Sequence, residues 1–145
     1  MEDLTCEMVI DARPETVFPF LTDPAKHLQW MGTEAELDPR PGGTYRVLVG
    51  GEHFGAGEFI EVVPNERVAF SFGWDALDHP IPAGSTTVTI TLIPEGEKTR
   101  VQLVHSGLPA DALNDHNTGW THFLSRLAVA APGGDPGPDR GPQPS

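Results

Sequence analysis

Four segments between Gly57 and Ser106 alternate apolar and polar residues with a period of two, joined by turn sequences and one longer connection. Residues 67–74 put Val68, Phe70, Phe72 and Trp74 on one face. Residues 86–93 set Val88, Ile90 and Leu92 against Thr87, Thr89 and Thr91, and the threonines should face water. Residues 99–106 carry Val101, Leu103 and, at the same parity, His105, while residues 57–63 precede the series across the turn Pro64-Asn65-Glu66. Such a chain builds an antiparallel sheet with one apolar face, and that face must be covered. A helix beginning at Asp111 supplies the cover: Leu113, Asn117, Trp120, Phe123, Leu124 and Leu127 recur at intervals of three and four, one apolar stripe interrupted by one amide.

Residues 4–10 alternate as a first strand, with Leu4, Cys6, Met8 and Ile10 on one face. Pro14 suits the first turn of a helix that Pro19 should kink or shorten, and Asp23-Pro24 reads as N-cap and first residue of a second short helix reaching Trp30. Strand signals return at 34–37 and, after Asp38-Pro39-Arg40-Pro41-Gly42-Gly43, at 44–49. The expected class is α+β, a curved antiparallel sheet wrapped around a long C-terminal helix, with two short helices after strand one. Gly55 and Gly57 should let a curving strand bend without side-chain collision. Residues 75–85, with two prolines and a glycine, are too long for a tight hairpin and read as a mobile loop at a cavity mouth.

A chain of 145 residues is one domain by size, here residues 1–131. Residues 132–145, rich in Pro and Gly with nothing to bury, are expected to be a disordered tail. Lys and Arg number 9 against 21 Asp and Glu, a net charge of -12 that phosphate backbones and anionic headgroups repel, so no nucleic-acid or membrane partner is expected. Cys6 is the only cysteine, which excludes an intrachain disulfide and multi-cysteine zinc sites. With no leader or apolar span to read, a cytoplasmic location is expected. No His-Glu-x-x-His, Gly-x-Ser-x-Gly, Walker or dinucleotide pattern occurs, and no cofactor or metal is expected.

The element order and several short motifs resemble the START-like superfamily, also called the Bet v 1-like or SRPBCC fold. Within it the chain is similar to the branch named for homology to the activator of the heat-shock chaperone ATPase (AHSA-like). The residues that carry the resemblance are Ala12-Arg13-Pro14-Glu15-Thr16-Val17-Phe18, Leu28-Gln29-Trp30, Asp38 to Arg46, Gly57 to Val68, Val88 to Leu92, His105-Ser106-Gly107-Leu108-Pro109 and Gly119-Trp120. The resemblance implies a helix-grip fold with an internal cavity. It includes ligand carriers, polyketide cyclases and aromatases, and self-resistance proteins of antibiotic producers, so fold alone carries no reaction.

The cavity is expected to be walled by Tyr45, Phe70, Phe72, Trp74, Trp120 and Phe123, with Glu58, His105 and Asn117 as its polar points. His105 is either a hydrogen-bonding group or general base, or a strand-end histidine bonded to backbone. Glu58 shares parity with Ile60 and Val62 and either points inward or is turned to solvent by the bend at Gly57. Asn117 needs a partner if buried, either ligand or backbone, and His116 lies beside it. Arg40 and Arg46 read as surface ion pairs, and His122, Asp115 and Arg126 as a solvated helix face. The leading expectation is a binder of a small hydrophobic, aromatic or polyketide-like molecule, for carriage, sequestration or self-resistance. The alternative is a cyclase-type enzyme using His105 or Glu58, and the enzyme question leans to no. A chaperone partner is not expected, since the eukaryotic activators carry a further N-terminal domain, and the oligomeric state is open between monomer and weak dimer.

Overall fold

Three prolines divide the segment after the first strand. In the computed structural model, which describes residues 2–49, 53–75 and 81–137, β1 (Glu2–Ile10) is followed by α1 (Pro14–Val17), α2 (Pro19–Thr22) and α3 (Pro24–His27). Each helix begins on a proline, whose missing N–H costs nothing at that position, and Pro19 ends the helix before it. Asp23 caps α3 by accepting from the Ala25 N–H at 3.0 Å.

The strands are β2 (Glu34–Leu37), β3 (Thr44–Val49), β4 (His53–Val63), β5 (Arg67–Phe72), β6 (Trp74–Asp75), β7 (Thr86–Glu95) and β8 (Lys98–Leu108). They form one antiparallel sheet in the order β1-β8-β7-β5-β4-β3-β2, with β6 paired to β4. A 3-10 turn, Ala110–Ala112, leads into α4 (Leu113–Ala130). Trp120, Phe123, Leu124, Leu127 and Ala130 of α4 share one core with Val88, Ile90, Leu92, Val101 and Leu103 of the sheet. Burying each large side chain is worth about 1.5–3 kcal/mol, so the helix is held by this face. The alternation read for β5, β7 and β8 is the one observed, and no helix among the described residues is long and apolar enough to cross a membrane.

The parity of β4 is where the sequence reading fails. Phe59 pairs with Phe70 but Glu61 with Ala69, so Ile60 is an extra residue in a β-bulge. Before the bulge Gly55 and Phe59 are buried; after it Val62, opposite Val68, packs on the core. Glu58, expected inside by its parity with Val62, is therefore on the outer face and exposed, as is Ile60.

Two glycines let the chain pass itself. A Cβ on Gly57 would collide with the Ser71 carbonyl of the paired strand, and one on Gly73 with the carbonyl of Pro82. Gly73 also divides the expected strand 67–74 into β5 and β6, and its carbonyl accepts from the Ala56 N–H at 2.8 Å. Residues 76–80 of the expected mouth loop lie outside the described residues; beyond them Ile81 is buried and its carbonyl accepts from the Trp74 N–H at 2.8 Å.

Arg126 corrects another expectation. Expected on a solvated face, it is 7% exposed, and its guanidinium donates to the carbonyls of Trp30 (3.0 Å), Gln29 (3.3 Å), Pro136 (3.2 Å) and Gly137 (3.0 Å). The carbonyls after α3 recruit it, because a buried guanidinium is tolerated when several acceptors replace its water and would be costly without them. Residues 132–137 of the segment read as a tail thus fall within the described residues, and residues 138–145 lie outside them.

Gly57→Ala forces the added methyl against backbone that cannot yield. The expected loss is about 1–3 kcal/mol, read as a lower urea midpoint with an unchanged slope.

Candidate functional site

A cleft of about 450 Å³ opens between the β5–β6 end of the sheet and the first half of α4. The sheet contributes Val49, Phe72 and Trp74, and the segments beside it contribute Met31 and Ile81. The opposite wall is Pro109, Asp111 and Ala112 from the turn before α4, then Asp115, His116, Gly119, Trp120 and Phe123. On the helix these positions follow one another at intervals of three and four, so a single face looks into the space. The size is that of a pocket for a small organic molecule.

Hydrogen bonds lock the aromatic walls. The Thr86 hydroxyl donates to the Phe72 carbonyl at 2.6 Å, so its oxygen is left to accept from His105 Nε2–H at 2.7 Å. Nδ1 of the same ring then accepts from the Trp120 indole N–H at 3.1 Å. His116 is held in the other tautomer, its Nδ1–H donating to the Ala112 carbonyl at 2.9 Å and its Nε2 accepting from the Trp74 indole at 3.3 Å. The two imidazoles meet edge to face at 5.4 Å, and Phe72 stands edge-on to both Trp74 and His105 at 5.4 Å. Burial first, and the neighbouring His116 second, push the His105 pKa down to about 3. At neutral pH His105 is uncharged with both ring nitrogens engaged, so it has no free lone pair to act as a base.

The family model of Activator of Hsp90 ATPase homolog 1-like proteins matches residues 11–131. The chain belongs to that family. An AHSA1-like protein from Rhizobium etli, solved by NMR, is 48% identical over 95% of this chain and 88% of its own, with a TM-score of 0.71. Two further structures share the fold. DynU16, a protein of the dynemicin biosynthetic locus, is 24% identical with a TM-score of 0.80; the match covers 94% of this chain but only 49% of DynU16, so this chain spans about half of that protein. The Aha1 dimer from Colwellia psychrerythraea is 22% identical, with a TM-score of 0.77 over 90% of this chain and 96% of that one. No curated protein matches the chain. The helix-grip fold is thus that of its AHSA1-like relatives.

Of the residues expected around the cavity, the structure brings Phe72, Trp74, Trp120 and Phe123 to the cleft. His105 stands directly behind them, 0% exposed, as the partner of Trp120. Tyr45 and Phe70 do not line the cleft: they stack on each other at 3.9 Å with Phe59 edge-on, filling the core below, and burial raises the Tyr45 phenol well above its ordinary pKa. Glu58 lies outside on the far face of β4. Asn117 is also exposed, one residue round the helix from the cleft, where its Oδ1 accepts from the Cys6 thiol at 3.4 Å. Of the stripe read on α4, Asn117 therefore falls on the flank beside β1, while Trp120 and Phe123 reach the cleft together with 112, 116 and 119 on the neighbouring flank. Asp111 and Asp115 lie four positions apart and His116 four before Trp120, a spacing visible in the sequence, but a search for apolar stripes passes over a polar one.

Among the described residues no three His, Cys, Asp or Glu side chains are grouped to hold a metal. His27, buried with Nδ1 3.1 Å from the Met31 carbonyl, is likewise pushed down by burial, to about 4.

Both buried histidines make stability depend on pH. Their folded pKa values lie below the ordinary value near 6.5, so the unfolded chain takes up protons first as pH falls. Stability is full above about pH 6.5 and declines below it at about 1.4 kcal/mol per pH unit per histidine, until pH reaches each folded pKa. Urea midpoints measured from pH 7.5 to 4.5 should show this decline. In His105→Gln, whose amide can serve both Thr86 and Trp120 without titrating, the decline should be shallower.

Proposed function

We propose that this protein binds a small, flat, largely apolar molecule in the cleft between β6 and α4 and performs no proton transfer there. The observation that carries the reading is the pair of indoles, Trp74 and Trp120, each pinned to a histidine, which fixes two aromatic walls facing a volume suited to a drug-sized molecule. Rigid walls lose little entropy when a ring inserts between them. Histidines committed to holding those walls are positioning groups, and Glu58, the other residue considered as a base, faces solvent on the opposite side of the sheet.

The fold shared with DynU16, and that protein's place in a biosynthetic locus for dynemicin, supports a ligand of the polyketide-like, polycyclic kind. Carriage, sequestration and self-resistance all use the same binding step. Family membership alone also fits the chaperone role in the family's name, but no residue described on this chain's surface favours it.

Addition of a neutral three-ring aromatic such as anthracene-9-methanol should shift amides of Phe72, Trp74, His116, Trp120 and Phe123 and quench tryptophan emission. Ala112→Trp places an indole in the cleft and should abolish both effects while leaving the unfolding free energy from urea titration within about 1 kcal/mol. Shifts that appear elsewhere, or binding that survives Ala112→Trp, would remove the proposal.

A further inference from the structure

The cleft's polar groups are of one kind. Among the described residues its charged lining residues are Asp111 and Asp115, four positions apart and therefore on one side of the same helical run, and no described Lys or Arg lines it. Neither carboxylate has an ion-pair or side-chain hydrogen-bond partner among the described residues, whereas Glu7, Glu61 and Glu95 are all paired with arginines. The side-chain N–H donors of the described walls are already committed, since the Trp74 and Trp120 indoles both donate into histidine nitrogens and His116 Nδ1–H donates to Ala112. What the described side chains leave for a ligand is aromatic faces and carboxylate oxygens, and both are acceptors.

From this we infer that the cleft selects a cationic aromatic: a flat ring system bearing a protonated amine, its rings between Trp74 and Trp120 and its ammonium group against Asp111 and Asp115. The inference rests on the binding reading above and adds the ligand's charge to it. Three features act in the same direction. An ammonium group donates to the carboxylates. It is attracted to the negative faces of the indoles. A carboxylate or phosphate on the ligand would meet two like charges with no donor to offset them. Acidic residues in the first turn of a helix also complement its dipole, but that role does not require both to border the same cleft.

The test uses three probes that share a three-ring aromatic frame: 9-aminoacridine, cationic at neutral pH; anthracene-9-methanol, neutral; and anthracene-9-carboxylate, anionic. In the intact chain at low salt, affinity should fall in that order, with the cation favoured over the neutral probe by about fivefold to tenfold, the range expected for two partly exposed charges. Raising the ionic strength to about 0.5 M should shrink that margin. In Asp111→Asn/Asp115→Asn the cation should lose its margin, and the three affinities should converge to within about threefold. The inference is overturned if the neutral probe binds as well as the cation in the intact chain, or if the cation keeps its margin in the double variant. If none of the probes shifts the cleft amides, the binding reading fails and takes this inference with it.

Discussion

The hydrogen bond from the Trp120 indole to His105 joins α4 to the sheet it covers, and the walls of the cleft take their places from it. Thr86 fixes the imidazole by holding Nε2–H, and its own hydroxyl is fixed by the Phe72 carbonyl, so three adjacent strands and the helix are tied through one buried ring. An unbonded imidazole at that depth would cost several kcal/mol; here no polar atom of the ring is left over. The bond also sets the rotation of α4 about its axis. Trp120 turned toward β8 puts Leu124 and Leu127 into the core and leaves His116, Gly119 and Phe123 facing β6.

That rotation explains the division of labour along the helix. The half after Trp120 is buried and closes on Arg126, whose guanidinium ties it to the carbonyls following α3. The half before Trp120 has fewer buried residues and borders the cleft, with two carboxylates at its start. A domain of this kind keeps its tightest packing at one end of a helix and an open cleft at the other, so residues bordering the cleft can change without disturbing the core.

Much of the fold is legible in the sequence because the strong signals are local. Alternation in β5, β7 and β8, the prolines opening α1 and α3 and the apolar run of α4 each follow from residues within one element, whereas Pro19, read as a kink, opens a third short helix. What is not legible depends on partners elsewhere. The extra residue at Ile60 leaves no mark in β4 and shows only in its pairing with β5, which is why Glu58 was assigned to the wrong face. Asn117 was drawn into the stripe by its spacing, although one residue of helix, about 100°, separates it from the cleft-facing His116. Arg126 resembles any surface arginine until the carbonyls of Gln29 and Trp30 are brought beside it from 97 and 96 positions away. The aromatic walls were recoverable because Phe72, Trp74, Trp120 and Phe123 lie at positions where local period and final environment agree.

The place of β1 in the sheet has a consequence for how the chain is made. Its strand neighbour is β8, with Leu4 opposite His105 and Ile10 opposite Thr99, so the strand of this sheet made earliest pairs with the one made latest. Until residue 108 has emerged, β1 has an edge with no native neighbour, and until α4 follows, the apolar face of the sheet is bare. Closure of long chain segments slows folding, and unpaired strand edges are where nascent chains associate wrongly. Thr5 and Glu7 on the outer side of β1 give that waiting strand a polar and charged flank, and because β1 stays at the end of the sheet order the same protection serves the finished molecule.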